Sequence, residues 1–101
     1  MTSIQLQTGQ IVYDPRGRVE AEAKPIAPRP TSLANLRLGV LDNTKWNGGQ
    51  LLRQTVSLLS QETTFESVNF YQKESFSKNA APELIAQIAA ENDVALTAIG
   101  D

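Results

Sequence analysis

The chain of 101 residues contains neither cysteine nor histidine. Without cysteine, disulfide bonds and cysteine-ligated zinc or iron–sulfur centres are excluded within these residues. Without histidine, the chain lacks the side chain that most often acts as general base or metal ligand, and it lacks every Ser-His or Cys-His pair. We therefore assign no catalytic residue and no metal ligand, and the sequence identifies no cofactor.

Aromatic residues and positive charge are also scarce. Aromatic side chains make up 6% of the chain, and nine Lys and Arg stand against eleven Asp and Glu, which gives a formal net charge of −2. Proteins that bind nucleic acid through its phosphates are normally basic, so this balance argues against a nucleic-acid partner. A hydrophobic fraction of 41% with 20% charged residues is typical of a globular chain.

Long hydrophobic runs are missing as well. None approaches the ~20 residues that a membrane helix needs. The first eight residues lack both the basic start and the apolar stretch of a secretory signal. The sequence therefore predicts a cytoplasmic protein without a membrane partner.

Residues 1–32 differ from the rest of the chain. Prolines at positions 25, 28 and 30 keep their neighbours extended and prevent a helix. Asp14-Pro15 is typical of a turn, and the apolar residues before it favour a short strand or a docking arm. We expect an extended, proline-containing leader that wraps the domain or reaches a neighbouring chain, and a disordered tail remains the alternative.

Residues 33–101 alternate between short apolar runs and segments with helical spacing of apolar side chains. The apolar run that Asp42 closes predicts a strand buried on both faces. Pro82 suits the first turn of a helix, where no backbone N–H is needed. The pattern predicts strands at about 37–42, 65–71 and 94–99, and helices at about 48–61 and 81–91.

This β-α-β-α-β order predicts a parallel sheet with right-handed crossovers and strand order 2-1-3. The fold class is then a three-layer α/β domain, Rossmann- or flavodoxin-like, over residues 33–101. Three strands and two helices bury little, and a domain of this size buries only about 60–65% of its unfolded surface. We therefore expect the fold to be incomplete at its C-terminus. Either self-association or a partner subunit covers the sheet, or the natural protein continues past Asp101.

Ligands of open parallel sheets bind outside the carboxyl ends of the strands. The segment after the first strand is polar and glycine-rich, and we expect it to lie beside the end of the third strand. Backbone amides of a glycine pair at a helix start, with a lysine beside them, would suit the carboxylate or phosphate of a small molecule. The candidate ligand-binding residues are Asp42, Asn43, Lys45, Asn47, Gly48, Gly49 and Asp101.

Structural explanations for the same residues remain open. Their spacing matches neither the dinucleotide-binding nor the phosphate-loop pattern. Asn47 can simply cap the helix, with the glycines forming a flexible turn. Asp42 can cap the same turn, and Trp46 can either cover a ligand or pack on the start of the helix.

Four stretches of the chain together resemble the UGSC-like family. They are Tyr-Asp-Pro-Arg-Gly at 13–17, Ala-Pro-Arg-Pro at 27–30, Leu-Gly-Val-Leu-Asp-Asn-Thr-Lys at 38–45 and Ala-Ile-Gly-Asp at 98–101. In that family the last Gly-Asp is followed directly by a Cys-Gly-Ser-Cys motif, whose first residue is selenocysteine in some members. That motif is similar to the redox motif of the selenoprotein subunit of the glycine, sarcosine and betaine reductases.

The resemblance implies a thiol or selenol redox site on the carboxyl edge of the sheet. The chain would then be the amino-terminal portion of a (seleno)protein oxidoreductase or reductase component, inactive by itself because the motif is absent. A selenocysteine codon read as a stop would end the translation at Asp101, and a natural truncation, a frameshift or a split gene are the alternatives. The alternative function is a non-catalytic α/β module that binds a small anionic ligand or completes a partner subunit.

Overall fold

The computed structural model describes residues 3–17 and 20–100, and its first element is a small hairpin. Strands β1 (Ser3–Gln5) and β2 (Ile11–Tyr13) pair antiparallel. Gly9 closes their turn with φ of 81°, a left-handed conformation that suits glycine, and its N–H donates to the Leu6 carbonyl at 2.9 Å. The apolar residues of the leader thus form a short antiparallel ribbon.

The rest of the leader is extended. Just after the hairpin, the Asp14 carboxylate accepts hydrogen bonds from the Arg16 backbone N–H at 3.0 Å and from its guanidinium. This local pair holds the pKa of Asp14 below its ordinary value. Residues 20–30 contain neither helix nor strand, and every one of them is exposed.

A three-stranded parallel sheet forms the second part of the chain. Its strands are β3 (Arg37–Asp42), β4 (Ser67–Gln72) and β5 (Val94–Ala98), in the order β4-β3-β5. Helices α1 (Gly48–Glu62) and α2 (Pro82–Glu91) connect them. The predicted parallel β-α-β-α-β arrangement and its 2-1-3 strand order are confirmed.

The hydrophobic core lies between the sheet and α1. Leu38 and Val40 of the central strand point to the same face and pack against Leu52 and Val56 of α1. These four side chains are buried, and Val40 is fully inaccessible to solvent. Leu38, Gly39 and Val40 are buried in succession, so the prediction of a strand covered on both faces holds.

The second strand starts later than its sequence pattern predicts. Phe65 and Glu66 precede β4, although the Glu66 N–H already donates to the Leu36 carbonyl at 2.9 Å and Phe65 packs against the core. The aromatic and β-branched side chains of this segment are typical of a strand, but they do not mark where regular pairing begins.

The opposite face of the sheet carries a polar network beneath α2. Asn92, which is buried, donates to the Tyr71 hydroxyl and to the Ile88 carbonyl, both at 2.9 Å, and accepts from the Asn69 amide at 3.0 Å. The Tyr71 hydroxyl donates in turn to Glu91 at 2.7 Å, which raises the pKa of Tyr71 and lowers that of Glu91. Each buried polar group of the Asn92 side chain thus has a partner.

Gly39 lies directly under Asn92, so we expect Gly39→Ala to destabilise the fold. A Cβ at this position would lie 2.8 Å from Asn92 Nδ2, and three hydrogen bonds keep that side chain from moving away. Overpacking of this kind costs about 1–3 kcal/mol in the free energy of unfolding, measured by urea denaturation. The matched control is Gly17→Ala, where no described atom lies within 4 Å. Equal free energies of unfolding for the two variants would contradict the close packing of Gly39 against Asn92.

The amino end of the central strand is hydrogen-bonded to the turn after α2. The Arg37 guanidinium and backbone N–H both donate to Asp93, and the ion pair measures 3.0 Å. The hydrogen bonds from Arg37 lower the pKa of Asp93 below its ordinary value. Both side chains are partly exposed, so this contact contributes to the position of β3 more than to overall stability.

Candidate functional site

The carboxyl ends of the three parallel strands form one edge of the sheet, which we call the carboxyl rim. Asp42, the last residue of β3, is paired in register with Gln72 of β4 and with Ala98 of β5. The segments that follow these three strands therefore begin side by side. The loop between β3 and α1 lies at the centre of the rim because β3 is the central strand.

Asp42 directs its carboxylate toward the start of α1. Its Oδ1 accepts a hydrogen bond from the Thr44 N–H at 2.8 Å. A Cβ on Gly49 would lie 2.8 Å from Asp42 Oδ2, and one on Gly48 would lie 3.4 Å from Oδ1. The glycine pair thus leaves room for this carboxylate beside the positive end of the helix dipole. Any anionic ligand at the same helix end would face the charge of Asp42.

Asn43 fixes the end of β5 to the rim. Its backbone N–H donates to the Ala98 carbonyl at 3.1 Å, and its side-chain amide donates to the Ile99 carbonyl at 2.6 Å. The Ile99 side chain also lies close to Gly48, with its Cδ1 3.7 Å from the position of a Cβ there. The chain therefore leaves β5 next to the first turn of α1.

Two residues of the β3–α1 loop have left-handed backbone conformations. Thr44 has φ of 69° and Asn47 has φ of 64°. Asparagine tolerates this conformation readily, whereas a β-branched threonine is strained in it. Asn47 occupies the N-cap position of α1, as the sequence allows, and its carbonyl accepts from the Leu51 N–H at 3.0 Å, but its side chain makes no hydrogen bond to the helix.

Lys45 points toward the loop that follows β4. Its Nζ lies 5.5 Å from the centre of the Phe76 ring, within the range of a cation–π contact. The two lysines of the same loop make contacts within it. Lys73 Nζ donates to the Lys78 carbonyl at 2.7 Å, and Lys78 Nζ lies 3.8 Å from the Glu74 carboxylate. Trp46 is 90% exposed, so it does not pack on the start of the helix.

The predicted candidate residues thus separate into smaller groups. Asp42, Gly48 and Gly49 lie together at the start of α1, with Asn43 beside them on the β5 side. Lys45 faces Phe76, and the Asn47 side chain is exposed. Asp101 lies outside the described residues. The turn after β3 and the end of β5 do lie on the same rim, as predicted, since Asn43 contacts the Ile99 carbonyl.

Sequence reasoning missed a pocket on the other side of Asp42, between the ends of β3 and β4. This pocket, which we call the β3–β4 rim pocket, has a volume of about 170 Å³. It is lined by Asp42, by three residues of α1 and by the last three residues of β4, namely Gly49, Leu52, Arg53, Phe70, Tyr71 and Gln72. Arg53 follows Gly49 by four residues and so lies on the same side of α1, a relation that the sequence already contains.

The described residues contain no group of three or more acidic side chains that could hold a metal ion. No helix among them is long and apolar enough to cross a bilayer. On the carboxyl rim, the part of the chain that the structure describes presents carboxylate, amide and guanidinium groups.

A family model matches most of the chain. The model of the UGSC family covers residues 11–101, which includes the leader after the first strand, the whole sheet and the carboxyl rim. Comparisons with curated proteins and with solved structures gave no significant match.

Proposed function

Because the chain belongs to the UGSC family, we propose that it is the amino-terminal part of a thiol or selenol oxidoreductase whose reactive residue follows β5. The resemblance of residues 98–101 to the segment before the Cys-Gly-Ser-Cys motif supports this role. The chain has no sulfur nucleophile and no histidine of its own, so these residues alone would be inactive. We also propose a cytoplasmic location, since the sequence has no secretory signal.

The contact between Asn43 and the end of β5 is the observation that carries the proposal. The Asn43 amide holds the Ile99 carbonyl at 2.6 Å, next to Gly48 in the first turn of α1. A nucleophile that follows Asp101 would start only a few residues from this point. Backbone N–H groups at a helix start stabilise a thiolate or selenolate and lower its pKa. In this proposal, Asn43 and α1 orient and activate a group supplied by the next segment.

The doubly wound topology supports the same placement. In a sheet of order 2-1-3, the helices after the first and third strands leave toward opposite faces, and the crevice between those strands is where ligands of flavodoxin-like folds bind. Here the corresponding crevice lies between β3 and β5, where the Asn43 contacts are found. We propose a flavodoxin-like architecture on this basis.

The nucleotide sequence directly downstream tests the proposal most simply. An in-frame UGA after the Asp101 codon, followed by codons for Gly, Ser and Cys, is the expected result. A UAA or UAG codon, or a downstream frame without such a motif, would remove the redox assignment. The carboxyl rim would then be a binding site without a redox group.

We further propose that residues 1–101 self-associate when expressed alone. The chain exposes 8425 Å², whereas a compact monomer of its mass exposes about 5,600 Å². Both edge strands lack the charged residues and prolines that usually protect a sheet edge, and α2 has no buried residue. Ile85 of α2 is 55% exposed over the β5 side of the sheet.

Size-exclusion chromatography with light scattering, together with thermal melting, tests this proposal. We expect a mass that rises with concentration, or a broad melting transition at low concentration. A monomer at all concentrations that melts sharply in the usual ~45–65 °C range would contradict it. That result would mean that the exposed leader and strand edges need no partner.

A further inference from the structure

In the β3–β4 rim pocket, only one oxygen of the Asp42 carboxylate accepts a hydrogen bond from a described residue. Asp42 is half-buried, and its Oδ1 accepts the single hydrogen bond from Thr44. Among the described residues, no hydrogen-bond donor reaches Oδ2, and this oxygen is not fully buried. An ionised carboxylate oxygen without a protein partner can accept strong hydrogen bonds from a cationic ligand.

A guanidinium of opposite charge lines the same pocket. Arg53 makes no hydrogen bond or ion pair with any residue that the structure describes, and it does not approach Asp42 within the 4.0 Å of an ion pair. Elsewhere the fold pairs such groups, as the Arg37–Asp93 contact at 3.0 Å illustrates. The two charges of the pocket are therefore held apart, with space between them.

The size and the walls of the pocket limit what fits in that space. A volume of about 170 Å³ holds about six non-hydrogen atoms at the ~30 Å³ that each water occupies in the liquid. Leu52 is buried and Phe70 is 55% exposed, so they offer an apolar surface between the charges. Gln72 adds an amide at the outer end of β4.

We propose that the β3–β4 rim pocket binds a small zwitterion, with its ammonium group on Asp42 and its carboxylate on Arg53. Arginine binds a carboxylate through two parallel hydrogen bonds, which fixes the orientation of the ligand. A simple anion would be repelled by Asp42, and a simple amine by Arg53, so the pocket selects a molecule that carries both charges. This inference holds whether or not a redox residue follows β5, because the pocket lies on the other side of Asp42.

Amide chemical shifts of the ¹⁵N-labelled chain, titrated with β-alanine, test the proposal. β-Alanine has a short apolar spacer between its two charges, and propylamine and propionate each carry only one of them. We expect β-alanine to shift the amides of Gly49, Arg53 and Gln72 and to bind at least ~10-fold more tightly than either analogue. Equal affinity for all three compounds, or shifts centred elsewhere, would overturn the proposal.

Two charge-neutralising variants locate the site. Asp42→Asn retains an oxygen that can accept from the Thr44 N–H, and Arg53→Gln changes an exposed side chain, so both variants should fold. Asp42→Asn should remove the preference for β-alanine over propionate, because the ammonium group loses its partner. Arg53→Gln should remove the preference over propylamine, because the carboxylate loses its partner. The matched control is Arg29→Gln in the exposed leader, which should bind β-alanine like the unchanged chain. Unchanged binding by Arg53→Gln would refute the assignment even if Asp42→Asn failed to fold.

Discussion

Leu52→Ala should lower the free energy of unfolding by about 2–5 kcal/mol, the usual range for truncating a buried leucine. Leu52 is 3% exposed and belongs to a core of four buried side chains, two on β3 and two on α1. With so small a core, the loss would remove a large part of a total stability that is ordinarily about 5–15 kcal/mol. Urea denaturation monitored by circular dichroism measures it.

Leu58→Ala on the same helix is the matched control. Its side chain is 64% exposed, so the same truncation should change the stability by less than about 0.5 kcal/mol. A similar loss in both variants would mean that the core does not lie between α1 and the sheet as described. If Leu58→Ala were the more harmful change, the exposed side of α1 would be buried in an assembly.

The sequence predicts the parallel sheet well because apolar runs and helical stripes are local signals. The predicted first strand, 37–42, has the bounds of β3, and the predicted first helix ends within one residue of α1. Both segments carry the core, so burial and sequence pattern agree there. β4 begins two residues later than predicted, because pairing with a neighbouring strand, not composition, decides where a strand starts.

Backbone conformation explains why the site was only partly predictable. Asn47 has the side chain of a helix cap, but its left-handed φ of 64° prevents that use, and residue type does not reveal φ. The contact of Asp42 with the glycine pair depends on how α1 is placed over β3, which is tertiary geometry. Arg53 and Phe70 meet in one pocket although they lie on different elements, and no spacing rule connects them.

An extended chain with cysteine at the first position of the Cys-Gly-Ser-Cys motif should react rapidly with iodoacetamide at mildly acidic pH. Residues 1–101 alone should not react at all, because they contain no cysteine. The nucleophile would follow the end of β5, which Asn43 holds beside the first turn of α1. Each unit by which the helix end lowers the thiol pKa raises the thiolate fraction about tenfold below that pKa. Mass spectrometry of the labelled peptide measures the rate.

The charge of Asp42 gives this prediction a second, independent readout. A carboxylate at the start of α1 opposes ionisation of a nearby thiol, so Asp42→Asn in the extended chain should lower the thiol pKa further and speed labelling. Asp93→Asn at the amino edge of the sheet is the control, since Asp93 lies at the opposite ends of the strands and should leave the rate unchanged. Labelling no faster than that of an unperturbed cysteine peptide would remove the redox mechanism, because neither the helix end nor Asn43 would then activate the sulfur.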